Sequence, residues 1–130
     1  MMVWRKIALK LTDYNNPNSF ASKLRAKRLI YLSSLIEEVF AEHGIVKIID
    51  MGGTRRYWNI LPENYISKYN IHIHVVNFSN EISEEIEDVR FKYFVGDCCN
   101  LSIINDNEYH IAHSNSVIEH VGTWENMKKF

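Results

Sequence analysis

The run "VKIIDMGGT", residues 46 to 54, constrains the fold of this chain more than any other stretch. Its apolar positions before Asp50 read as a short strand that needs a sheet around it, and Gly52-Gly53 then make a tight turn where backbone can approach a ligand closely. Nucleotide-type cofactors are held in this way. The glycine spacing, however, fits neither the dinucleotide pattern G-x-G-x-x-G nor the phosphate loop G-x-x-x-x-G-K-[ST].

The rest of the pattern is built around that strand. From Ser19, the residues Leu24, Leu32, Leu35, Ile36, Val39 and Phe40 recur at helical intervals until Gly44. They predict a long amphipathic helix with Ser19 or Asn18 as N-cap and Gly44 as its stop. Residues 1–17 form a separate N-terminal segment, and "DYNNPNS" is a connection rich in turn formers. Strands are expected at 46–49, 71–76, 91–95 and 109–112. The segment "TRRYWNILPENYISKYN" holds one helix or two short ones, with Pro62 starting the second. Ile82, Ile86 and Val89 predict a further short helix with an acidic outer face. Strands that alternate with helices imply an α/β fold: a Rossmann-like three-layer sandwich with a mainly parallel sheet, over residues 18–130. The stretch "GTWENMKKF" begins another helix and ends. Four parallel strands with an open edge are the expected front part of a longer domain, or else a homo-oligomer covers the edge.

Composition narrows the function classes. A formal net charge of -1 over 130 residues gives no electrostatic support for nucleic acid binding. No apolar run approaches the roughly 18 residues that span a bilayer, and the N-terminus is too polar for a signal sequence, so no membrane role and a cytoplasmic location are expected. Cys98 and Cys99 are adjacent, which suits reduced thiols better than a disulfide framework or a zinc site.

In an open parallel sheet, ligands bind beyond the carboxyl ends of the strands. The four expected strands are followed by Asp50-Met51-Gly52-Gly53-Thr54, Asn77-Phe78-Ser79, Gly96-Asp97-Cys98 and His113-Ser114-Asn115-Ser116. Each end carries small or hydrogen-bonding residues. The series "IIDMGG", "VVNFS", "VGDCCNL" and "YHIAHSNSVIEHVGTWEN" resembles the successive motifs of class I S-adenosylmethionine-dependent methyltransferases, over about residues 45 to 126. The most specific part is "SNSVIEHV" after the fourth strand.

That resemblance implies S-adenosyl-L-methionine as cofactor and methyl transfer to an unidentified acceptor, a small molecule or a biopolymer. It implies that Asp50 and Gly52 line the methionine end, with Gly53 in the same turn. Asn77 falls where the family usually has an acid for the ribose hydroxyls, and Asp97 where a carboxylate accepts from the adenine amino group, with Cys98 beside it. Ser114 and Asn115 would lie near the amino-acid part or the transferred methyl. The sequence departs from the family's pattern at Thr54, usually glycine, and at Asn77. Arg55 and Arg56 follow the loop, where pairing with a carboxylate competes with simple solvation.

Glu119 and His120 are candidates for a general base. The plainer reading is that they begin a helix and hold the loop, since many methyl transfers need only alignment. His72 and His74 share a strand face, as a metal pair would, but no third ligand is near in sequence and no metal is expected. Trp58 is assigned to the core. The rival to an enzyme is a non-catalytic Rossmann-like binding or assembly module. A nicotinamide-dependent oxidoreductase ranks below both, because its glycine fingerprint and the acid after the second strand are missing.

Overall fold

The computed structural model describes residues 19–78 and 88–130. The chain divides into two compact units, with the boundary between Glu38 and Val39. Helix α1 spans Phe20–His43. The Ser19 carbonyl accepts from Lys23 N–H at 3.1 Å, and Gly44 N–H still reaches the Phe40 carbonyl at 2.8 Å, so the helix has the limits that its sequence predicts. Its apolar stripe is only partly covered. Ile36 is fully buried, whereas Leu24 and Leu35 are about two-fifths exposed, at 39% and 42%.

The second unit carries β1 (Val46–Met51), α2 (Arg55–Trp58), α3 (Glu63–Lys68), β2 (Ile71–Asn77), β3 (Phe91–Val95), β4 (Ile111–Ser114), a 3-10 turn at Ile118–His120 and α4 (Trp124–Lys129). The strands form one parallel sheet in the order β3-β2-β1-β4. This is the Rossmann-like order, in which the chain crosses from one side of β1 to the other after β3. No helix among the described residues is long and apolar enough to cross a membrane.

The register explains the core. Val46, Ile48 and Asp50 of β1 align with Ile71, Ile73 and Val75 of β2, and Ile48 and Asp50 align with Ile111 and His113 of β4. Paired residues of parallel strands point to the same face. On this face Val46, Ile48, Ile71, Ile73 and Val75 are all fully buried. Trp58 and Ile66, from α2 and α3, are buried too. The opposite face holds Ile49 and Val76 in the core, beside half-buried His72 and His74.

Several sequence expectations shift. The fourth strand starts at Ile111, not at 109, because neighbouring side chains take up its first residues. The Lys47 N–H bonds to the ring Nδ1 of His110 at 3.0 Å, and the Tyr109 hydroxyl turns to His74 Nδ1 at 2.6 Å. The strand then continues through His113 and Ser114, both expected beyond its end. Pro62 precedes α3 rather than starting it, since its ψ of 145° is extended. Glu119 and His120 lie on the 3-10 turn, and the next helix begins at Trp124, where the Thr123 hydroxyl accepts from Asn126 N–H. The helix expected around Ile82 and Ile86 lies outside the described residues.

His72 Nε2 meets Asn70 Oδ1 at 3.1 Å, and among the described residues no group of potential metal ligands gathers around His72 and His74. Burial lowers both imidazoles below their usual value, aided by the charge of Arg90 for His72 and of Lys92 for His74. The unfolded chain therefore binds protons more readily at these sites. Stability is expected to fall as pH drops below about 6.5 through the lower folded values. His74→Gln should flatten the fall in melting temperature between about pH 7 and pH 5, measured by calorimetry. An unchanged slope would contradict this.

Candidate functional site

Asp50 is the centre of the rim where β1 and β4 end. Its carboxylate is completely buried, which costs several kcal/mol unless hydrogen bonds replace water. Both oxygens have partners. Oδ2 accepts from the indole Nε1–H of Trp58 at 2.7 Å, and Oδ1 lies 2.8 Å from Nδ1 of His113. The other imidazole nitrogen, Nε2, is 3.2 Å from the Tyr57 hydroxyl. Tyr57 and Trp58 reach these positions because α2 starts directly after the glycine turn. The His113 ring packs on both, with ring centroids 4.9 Å from Tyr57 and 5.0 Å from Trp58.

The two glycines of the turn are required by different neighbours. Gly52 has φ +75°, and a Cβ there would stand 2.5 and 2.8 Å from the methyl carbons of Val117. Gly53 lies against Asp50, and a Cβ would fall on that carboxylate. The turn is also tied to its neighbours by polar groups. Gly52 N–H donates to the Val76 carbonyl at 2.7 Å, and the Asn77 amide donates to the Gly53 carbonyl at 3.0 Å. Thus the loop after β1 is pinned by Asp50, Asn77 and Val117 at once. Val117 arrives there after Ser116, a residue in the left-handed region at φ +59°. That conformation costs about 1 kcal/mol and marks a constrained turn.

A cavity of about 230 Å³ opens beside this loop. Of the residues singled out in the sequence, Gly52, Asn77, Asp97, Cys98 and His120 line it, together with Val117. Asp50, Gly53, Ser114, Asn115 and Glu119 do not. Asp50 and Gly53 instead shape the loop from beneath, as the burial of the carboxylate dictates. Ser114 ends β4 and is exposed, and Asn115 follows it half-buried. Asn77 uses its amide oxygen to accept from Phe78 N–H at 2.9 Å. Asp97 is exposed and accepts from Cys99 N–H at 2.9 Å, which closes the turn after β3.

Both thiols are held toward the protonated form in this setting. Cys98 points its Sγ at the Val76 carbonyl, 3.8 Å away, and its pKa is pushed up to about 11 by burial and then by the charge of Asp97. Burial and Asp97 raise Cys99 as well. Arg55, considered in the sequence as a partner for a ligand carboxylate, pairs instead with Asp88 at 2.8 Å and lies over the Phe91 ring. His113 and Val117 were not candidates in the sequence. The parallel register that places His113 opposite Asp50 was the missing signal.

No family model, curated protein or solved structure matches this chain.

The three loop glycines should respond differently to alanine. Gly53→Ala and Gly52→Ala should each lower stability by about 1–3 kcal/mol through overpacking, whereas a Cβ on Gly96 meets only ordinary contacts at 3.4 and 3.5 Å and should be near neutral in urea denaturation. Cys98 should also resist alkylation. At pH 9 only about 1% of a thiol with its pKa near 11 is ionised, so iodoacetamide labelling followed by mass spectrometry should rise steeply above that pH.

Proposed function

We propose that this chain carries a binding site for S-adenosyl-L-methionine and acts in methyl transfer to an acceptor that is not yet identified. The observation that carries the reading is the convergence of Gly52, Asn77, Asp97 and Cys98, from the ends of three adjacent strands, on one cavity. These are among the positions that the resemblance to class I methyltransferases assigns to the cofactor; Asp50, Gly53, Ser114 and Asn115, which it also assigns, lie outside the lining. The residues present suit such a ligand. Asn77 keeps a second amide N–H beyond the one given to Gly53, which is a donor for a ribose hydroxyl. Asp97 has acceptor positions beyond the one used by Cys99 N–H, and a carboxylate there suits an exocyclic amine. Gly52 presents its backbone at the cavity, and S-adenosylmethionine has no phosphate that would demand a helix N-terminus.

When bound, this cofactor supplies a methyl group on a sulfonium sulfur, which an acceptor nucleophile displaces in line. The chain's contribution is alignment and exclusion of water. Gly52 and Val117 hold one wall, and Asn77 and Asp97 fix the nucleoside part. Glu119 and His120, the sequence's candidates for a base, are exposed on the 3-10 turn, and His120 alone of the two borders the cavity.

One observation favours the second reading, a non-catalytic binding module. At about 230 Å³ the cavity is smaller than the about 300–1,000 Å³ of usual small-molecule sites, so it takes part of such a ligand rather than all of it. Calorimetric titration of the chain with S-adenosylmethionine and S-adenosylhomocysteine separates the two. The methyltransferase reading expects saturable binding of both, weakened about tenfold or more, ~1.4 kcal/mol, in Asp97→Ala. Heat-silent titration of a chain shown to be folded by circular dichroism would leave the binding module.

A further inference from the structure

We propose that Asp50, His113 and Tyr57 form a proton relay at the ends of β1 and β4, in which His113 is the base and the group it serves is an ionisable hydroxyl. The roles follow from donor and acceptor chemistry. Trp58 Nε1–H can only donate, so Asp50 Oδ2 is an acceptor, and an ionised Asp50 accepts on Oδ1 as well. Neutral His113 must then carry its proton on Nδ1, which leaves Nε2 bare. The partner of Nε2 is the Tyr57 hydroxyl, which donates to it across 3.2 Å.

Burial falls along the same line. The Asp50 side chain is 1% exposed, that of His113 is 15% exposed, and Tyr57 is half-buried. A fully sealed carboxylate thus backs an imidazole that is nearly sealed, and the imidazole faces a phenol at the edge. Asp50 from β1 and Tyr57 from α2 are the titratable groups hydrogen-bonded to His113 among the described residues. A brace for Trp58 alone would need only one acceptor oxygen, and an apolar residue at 113 would continue the face formed by Ile48 and Ile111 more cheaply.

Tyr57, His113 and Asp50 are not among the residues that line the cavity, so the relay stands on its own hydrogen bonds rather than on the methyl-transfer reading. A hydroxyl beside Tyr57 gives its proton to the Tyr57 oxygen while the Tyr57 proton passes to His113 Nε2, so that the imidazolium is balanced by Asp50. The hydroxyl oxygen keeps the electron pair of the broken O–H bond and is left as the stronger nucleophile. An alcohol or phenol needs this help, whereas an amine with a free lone pair does not.

The test needs no cofactor, so it can fail or succeed separately from the methyl-transfer reading. Nitrogen-15 NMR of the wild-type chain should show neutral His113 protonated on Nδ1. Asp50→Asn keeps the hydrogen-bond positions but presents an amide N–H to Nδ1, so the proton should move to Nε2. Carbethoxylation of His113 by diethyl pyrocarbonate, followed by peptide mass spectrometry, should slow at least tenfold in Asp50→Asn and quicken in Tyr57→Phe. Phenol, the simplest ionisable hydroxyl, should protect His113 in the wild type and lose that effect in Tyr57→Phe. A wild-type Nε2–H tautomer or absence of phenol protection overturns the proposal. If Asp50→Asn fails to fold, the wild-type tautomer and the Tyr57→Phe comparison decide it alone.

Discussion

The buried carboxylate of Asp50 is the interaction on which the site depends. A charge in this position is tolerable only while its oxygens are hydrogen-bonded, and two separate segments supply the partners. Trp58 comes from α2 and His113 from β4, while Gly53 of the loop packs closely against the carboxylate. Removing one partner would leave the others around an uncompensated charge, so the positions of α2, the glycine turn and the end of β4 are fixed together. The parallel register supplies this arrangement at no further cost, because it already aligns Asp50 with His113.

Above that anchor, the wall of the cavity is made from two loops that interlock. Gly52 yields its side-chain space to Val117, and Asn77 fastens the Gly53 carbonyl from β2. Three strand ends and the turn after β4 therefore act as a single surface facing the cavity. Gly52, Asn77, Asp97 and Cys98 lie on this surface, whereas Asp50, Gly53, Ser114, Asn115 and His113 are not part of its lining.

Much of the fold was legible in the sequence, for clear physical reasons. Runs such as Val46 to Ile49 and Ile71 to Val76 are dense in β-branched residues, and Phe91–Val95 is bounded by polar turns, so the first three strands declare themselves. The fourth strand was displaced by two residues because His110 used its ring to satisfy a backbone N–H, an event that no periodicity reveals. Trp58 was read correctly as core, but its polar partner was not foreseen. Asp50 looked like a ligand-facing residue because the resemblance placed it there; its sealed environment appears only once β4 is beside β1. Val117 was invisible for the same reason, as its contact with Gly52 joins segments far apart in the chain.

That contact has a consequence for how this sequence can vary. Gly52 and Val117 share one small volume, and the left-handed φ of +75° also strains any side chain at the first position, so a smaller residue at 117 relieves only part of the cost. Mutational drift at this contact would therefore be one-sided: position 117 can shrink, while position 52 stays glycine under two independent constraints.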